Sequence, residues 1–171
     1  MGNKNADLYR KLIALLLAAG GGVGVIIALW SEVTMVLHAE SEGARAVSAI
    51  FMGIFTLIFG LSAWVGVDLW RKKPKAFTWA RVLLIAQIPS VSFPGFAYKF
   101  YTGMTLVLGL NQTTLGFEAQ LGSAISFRIA SDIEGFAFGV NVVAALALVL
   151  LEKARASMES QAVLAAGESH Y

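Results

Sequence analysis

The sequence predicts a mainly α membrane protein, a four-transmembrane-helix bundle with a small periplasmic antiparallel β-hairpin or meander between helices 3 and 4. Three observations predict it. Of 171 residues, 57% are hydrophobic and 14% charged, against roughly 25% charged in soluble domains. The charges gather between four apolar runs. Threaded through a bilayer, those runs leave ten of the 13 Lys and Arg residues on one side. The whole chain, 1–171, reads as one membrane domain.

A helix needs about 20 apolar residues to cross a hydrocarbon layer roughly 30 Å thick. Span one is expected at 12–31, between Lys11 and Glu32, and span two at 46–67, between Arg45 and Asp68. The basic start and Ala18-Ala19-Gly20 resemble a signal peptide, but the apolar run continues to Trp30, which favours an uncleaved span. Span three is expected at 82–98 as a helix kinked or broken by Pro89 and Pro94, because proline removes a backbone donor. Span four is expected at 135–151.

Orientation follows from the basic residues, which collect on the cytoplasmic side. Lys4, Arg10 and Lys11, then Arg71, Lys72, Lys73, Lys75 and Arg81, then Lys153 and Arg155 share one side. Both termini are therefore expected in the cytoplasm of a bacterium, with the protein multi-pass in its inner membrane. Trp30, Trp64, Trp70 and Trp79 lie toward span ends, as interfacial anchors do.

The stretch 103–130 is expected to be the periplasmic β segment. From Leu115 to Ile129 the odd positions are mainly apolar, and the even ones include Gly116, Glu118, Gln120, Gly122 and Arg128. Alternation at period two marks a strand with one buried face. Leu106, Leu108 and Leu110 alternate upstream, Asn111-Gln112-Thr113-Thr114 can join the two runs, and Gly122 can split the longer one. The apolar face is expected to cap the bundle, or to dock a partner or cover a cavity.

Ala86-Gln87-Ile88-Pro89, Phe93-Pro94, Tyr98-Lys99-Phe100-Tyr101-Thr102-Gly103, Leu121-Gly122-Ser123 and Gly139-Val140-Asn141 carry a resemblance. Over roughly 81–151 the chain resembles a group of uncharacterised bacterial four-span inner-membrane proteins with a Gln-Ile-Pro segment in span three. The resemblance implies a topology and no activity.

Gly20 with Gly24, and Gly135 with Gly139, have the spacing that lets membrane helices approach closely. Gln87, Pro89, Ser90 and Pro94 mark the expected helix break, where polar groups serve the backbone or a small ligand. Lys99, Arg128, Asp132 and Glu134 are expected at the outer interface, as ion pairs or ligand contacts. Glu32, His38, Glu40 and Glu42 match no recognised metal spacing. No cysteine, nucleophile elbow, nucleotide fingerprint or zinc motif occurs, so no catalytic residue, metal or cofactor is assigned. The expected partners are membrane lipids, a membrane or periplasmic protein, or a second copy of the chain, and not nucleic acid. The leading functional reading is a non-catalytic accessory or interaction protein. The alternative is a small transporter, channel or lipid-handling protein.

Overall fold

The computed structural model describes residues 2–38, 41–111, 114–130 and 135–168. The chain forms helices α1 (Gly2–His38), α2 (Glu42–Trp70) and α3 (Pro74–Gln87). Strands β1 (Pro89–Phe93), β2 (Gly95–Tyr101), β3 (Met104–Asn111), β4 (Thr114–Leu121), β5 (Ala124–Ala130) and β6 (Ala137–Asn141) follow, and α4 (Val142–Glu168) closes the order. All strand pairs are antiparallel, in one sheet of order β4-β3-β6-β1-β2-β5.

This α+β arrangement overturns the expected four-span bundle with a small hairpin. Among the described residues only two helices are long and apolar enough to cross a membrane, Lys4–Thr34 and Arg45–Trp70. The expected third span is instead the end of α3 followed by a hairpin. Pro74 starts α3 at a position where its missing N–H costs nothing, and α3 ends at Gln87, about 21 Å long. Pro89 then opens β1, and Pro94-Gly95, with Gly95 at φ 86°, is the turn between β1 and β2. The expected fourth span is split too. Gly135 lies outside any helix, Gly139 lies in β6, and only ten apolar residues of α4 precede Glu152.

The helices meet in one core, where Ile13 and Leu17 of α1, Leu69 of α2, Phe77 and Leu84 of α3, and Leu151 of α4 pack together. Small residues set the α1–α2 spacing. A methyl added to Gly66 would lie 2.4 Å from the Ala18 nitrogen, and one on Gly21 would lie 2.4 Å from that of Ala63. Arg10, fully buried, ties the ends of the pair. Its Nη1 donates to the Leu69 and Trp70 carbonyls at 2.6 Å each, and its Nη2 to Asp7 Oδ1 at 2.6 Å. The guanidinium thus adds donors at the C-terminal end of α2, where the Leu69 carbonyl also accepts from Lys72 N at 3.1 Å.

The sheet is built on one long hairpin. Its register runs unbroken from Gly95↔Ala130 through Tyr101↔Ala124 to Met104↔Leu121 and Asn111↔Thr114. Thr102-Gly103 and Gly122-Ser123 interrupt the two arms opposite each other. Gly103 (φ 81°) and Gly122 (φ 122°) take backbone angles that side chains disfavour, and Gly122 N donates to Gly103 O at 2.6 Å. The hairpin turns a corner there. Beyond it, β2 pairs with β1, β3 pairs with β6, and β1 pairs with β6.

Helix α1 sits against this corner. A methyl added to Gly20 would lie 2.3 Å from Gly103 N, and Ser123 Oγ donates to Gly20 O at 2.6 Å. Gly24 instead faces the Phe59 ring of α2. A second cluster, Ala28, Phe59 and Phe100 with Tyr98 and Ile125 against it, lays the β2/β5 half on α1 and α2.

Gly20→Ala should therefore destabilise the protein by about 2 kcal/mol or more, because backbone must shift on both sides. Gly22→Ala, with nothing within 4 Å of the added carbon, should stabilise it by about 0.5–1 kcal/mol through helix propensity. Unfolding midpoints of the two variants in one detergent check the pair. Equal shifts would refute the close contact.

Candidate functional site

The polarity of the sheet is turned inward. Lys99 on β2 and Glu118 on β4 make an ion pair of 2.6 Å, although β1, β6 and β3 separate their strands. In a flat sheet those strands would lie about 19 Å apart. The sheet must therefore curl toward the face that carries both residues, and that face lines a cleft of about 420 Å³.

The registers show what lies on it. One row crosses all six strands, Gly116, Gly109, Gly139, Ser90, Lys99 and Ser126. Its first half has no side chains, which makes room for the curl. A methyl on Gly109 would lie 2.7 Å from the Phe138 carbonyl, and one on Gly139 would lie 2.5 Å from Val107. Asn111 and Ser92 flank this row on one side and Glu118 on the other.

Four side chains bridge the cleft. Lys99 Nζ donates to Glu118 Oε1 and lies 5.5 Å from the centre of the Tyr101 ring. Tyr101 hydroxyl donates to Gln120 Oε1, and Gln120 Nε2 donates to Glu118 Oε1. Burial first, and the Glu118 charge second, raise the Tyr101 phenol above its ordinary pKa. It therefore stays protonated as the donor of this chain at neutral pH.

Buried polar groups also lie at the sheet corner and at the start of α4. Gln87 Oε1, at the end of α3, accepts from Thr102 N at 3.0 Å and Thr102 Oγ1 at 3.1 Å. Asn141 Oδ1 accepts from Val143 N and Ala144 N, capping α4. These bonds fix both amide orientations. Gln87 Nε2, Asn141 Nδ2 and Thr105 Oγ1 are buried and have no hydrogen-bond partner among the described residues.

The structure brings some expected site residues together and separates others. Ser90 and Lys99 share the cleft, with Pro89 at its edge in β1. Gln87 serves the sheet corner and not a proline kink. Pro94 lies in the β1–β2 turn, at the opposite end of β1 from Gln87. Arg128 has its backbone opposite Ala97. Asp132, Glu134 and Glu40 lie outside the described residues, while Glu32 and His38 belong to α1 and Glu42 starts α2. No group of three or more His, Cys, Asp or Glu suited to a metal occurs among the described residues. Glu118, Tyr101, Gln120 and Ser126 were absent from the expected site. The alternating Glu118 and Gln120 were their signal, once the polar face is taken as the inner one.

Compared with protein-family models, curated proteins and solved structures, the chain matches none.

Gln87→Leu should cost about 2–4 kcal/mol, because the buried Thr102 amide and hydroxyl lose their acceptor. Denaturant titration measures it. A loss below about 0.5 kcal/mol would mean that Thr102 has another acceptor.

Proposed function

We propose that the chain is a non-catalytic binding protein of the bacterial inner membrane, held by α1 and α2 with both termini cytoplasmic. Its curled sheet rests against the outer leaflet. The observation that carries this reading is the inverted polarity of the β3/β4 half. Leu115, Phe117 and Leu121 are 77%, 78% and 85% exposed, while Ser90, Lys99, Glu118 and Ser126 stand on the cleft face among apolar lining residues that include Val107 and Leu110. A strand pair in water buries its apolar face, whereas one against lipid turns that face outward.

Depth along α1 agrees with this. Gly20, beside the corner, is about 13 Å along the helix from Lys11, and Ala28, beside Phe100, is about 25 Å along it. If α1 crosses from Lys11, the sheet comes to lie beside the outer half of the hydrocarbon. The outward flank of the helix pair is equally apolar, with Ile26, Ile50, Leu57 and Trp64 all exposed. An open strand edge cannot face hydrocarbon, so the β4 edge meets water, lipid headgroups or a partner chain. That requirement favours an accessory role. The polar cleft favours lipid handling as the second reading.

The cysteine-free sequence allows a direct test. A fluorophore on Phe117→Cys should be quenched by nitroxide-labelled acyl chains in vesicles. A cysteine at Ser92→Cys should react with a membrane-impermeant thiol reagent from the outer side. Rapid reaction of Phe117→Cys with that reagent, or release of the protein by alkaline extraction, would sink the reading.

A further inference from the structure

We propose that the cleft binds a zwitterionic group, a primary ammonium joined by a short linker to an oxyanion, as in a phosphoethanolamine headgroup. This goes beyond membrane residence and names the ligand of the polar cleft.

The Lys99–Glu118 pair carries the argument. Lys99 is about three-quarters buried, with its side chain 24% exposed. Of its three N–H donors, one is used on Glu118 Oε1. Glu118 Oε1 takes both Lys99 and Gln120, and its Oε2 has no hydrogen-bond partner among the described residues. Each end of the pair can thus take one more charged contact without breaking the bond between them.

Charge then selects the ligand. The pair is neutral overall. A lone anion at Lys99 would lie beside the Glu118 carboxylate, and a lone cation at Glu118 beside the Lys99 ammonium, so attraction and repulsion largely cancel. A zwitterion laid antiparallel to the pair meets an opposite charge at each end. Ser90 and Ser126 flank Lys99 on the neighbouring strands and offer hydroxyl donors to the oxyanion. Gly116, where an added β-carbon would meet nothing within 4 Å, leaves space beside the pair. The volume of about 420 Å³ lies in the range of small-ligand sites.

The same chemistry comes from a lipid or from a free metabolite, and the test separates them. The full chain in lipid-free micelles is titrated calorimetrically with glycerophosphoethanolamine, with glycerophosphoglycerol as anion control and ethanolamine as cation control. Native mass spectrometry compares retention of phosphatidylethanolamine and phosphatidylglycerol. The zwitterion should bind at least tenfold tighter than either control in one of the two arms. Binding only as lipid identifies a headgroup site, and binding only as the soluble compound identifies a free ligand. Lys99→Met and Glu118→Gln should each weaken it about 10- to 100-fold. Gly116→Leu keeps both charges and has open space at its β-carbon, so it should block binding by filling the cleft without disturbing the fold. Equal binding of the anion, unchanged binding by Gly116→Leu, or no zwitterion binding in either arm would overturn the proposal. The soluble arm needs no bilayer, so its result stands whether or not the protein proves to span a membrane.

Discussion

The contact between α1 and the sheet corner sets the rest of the structure. Gly20 lets the helix backbone reach Gly103, and Ser123 locks the approach by donating to the Gly20 carbonyl. The corner can be placed there because Gly103 and Gly122 stand opposite each other in an unbroken register. With the corner fixed, β2 and β3 leave it to opposite sides of the β1/β6 pair. The sheet must then curl, the polar face closes into a cleft, and Lys99 comes within bonding distance of Glu118. Glycines pay for this in chain entropy, and the bonds around Ser123 and Gln87 offset it.

The sequence made the helices easier to read than the sheet. The helices at 12–31 and 46–67 were legible because twenty charge-free residues leave few alternatives, and both stretches fall within α1 and α2, which are long and apolar enough to cross a membrane. The runs at 106–110 and 115–129 alternate at period two, and they lie in β3, β4 and β5 with Gly122 at the break. Strands β1 and β6 were hidden by the same apolar richness. Ser90 and Ser92 alternate with Val91 and Phe93, and Ala137 and Gly139 with Phe138 and Val140. In a charge-free stretch this period was outweighed by total length. Proline at 89 and 94 suits a broken helix when only the sequence is considered, but Pro94-Gly95 is turn chemistry.

The candidate site was half legible for a related reason. Ser90 is expected at the helix break and Lys99 at the outer interface, whereas Glu118 stands out in the sequence only as one of the alternating positions of a strand. Alternation shows that a strand has two unlike faces. Which face is inner depends on the surroundings, and on pairing across β1, β6 and β3 that no local window contains. Glycines 109, 116 and 139 lie far apart in sequence, and only the register gathers them into one bare strip.

The strand order also constrains how the chain assembles. The long hairpin is local in sequence and β1 lies next to it, so β5, β2 and β1 can pair as soon as they emerge. The central neighbour β6 is the last strand in the chain. The sheet is therefore completed by a strand entering its middle, between β1 and β3, and not by growth at an edge. Such late, long-range closure is slow compared with local pairing. Until it happens, β1 and β3 each expose a row of unpaired backbone groups, and α4 has no anchored start because its cap, Asn141, belongs to that strand.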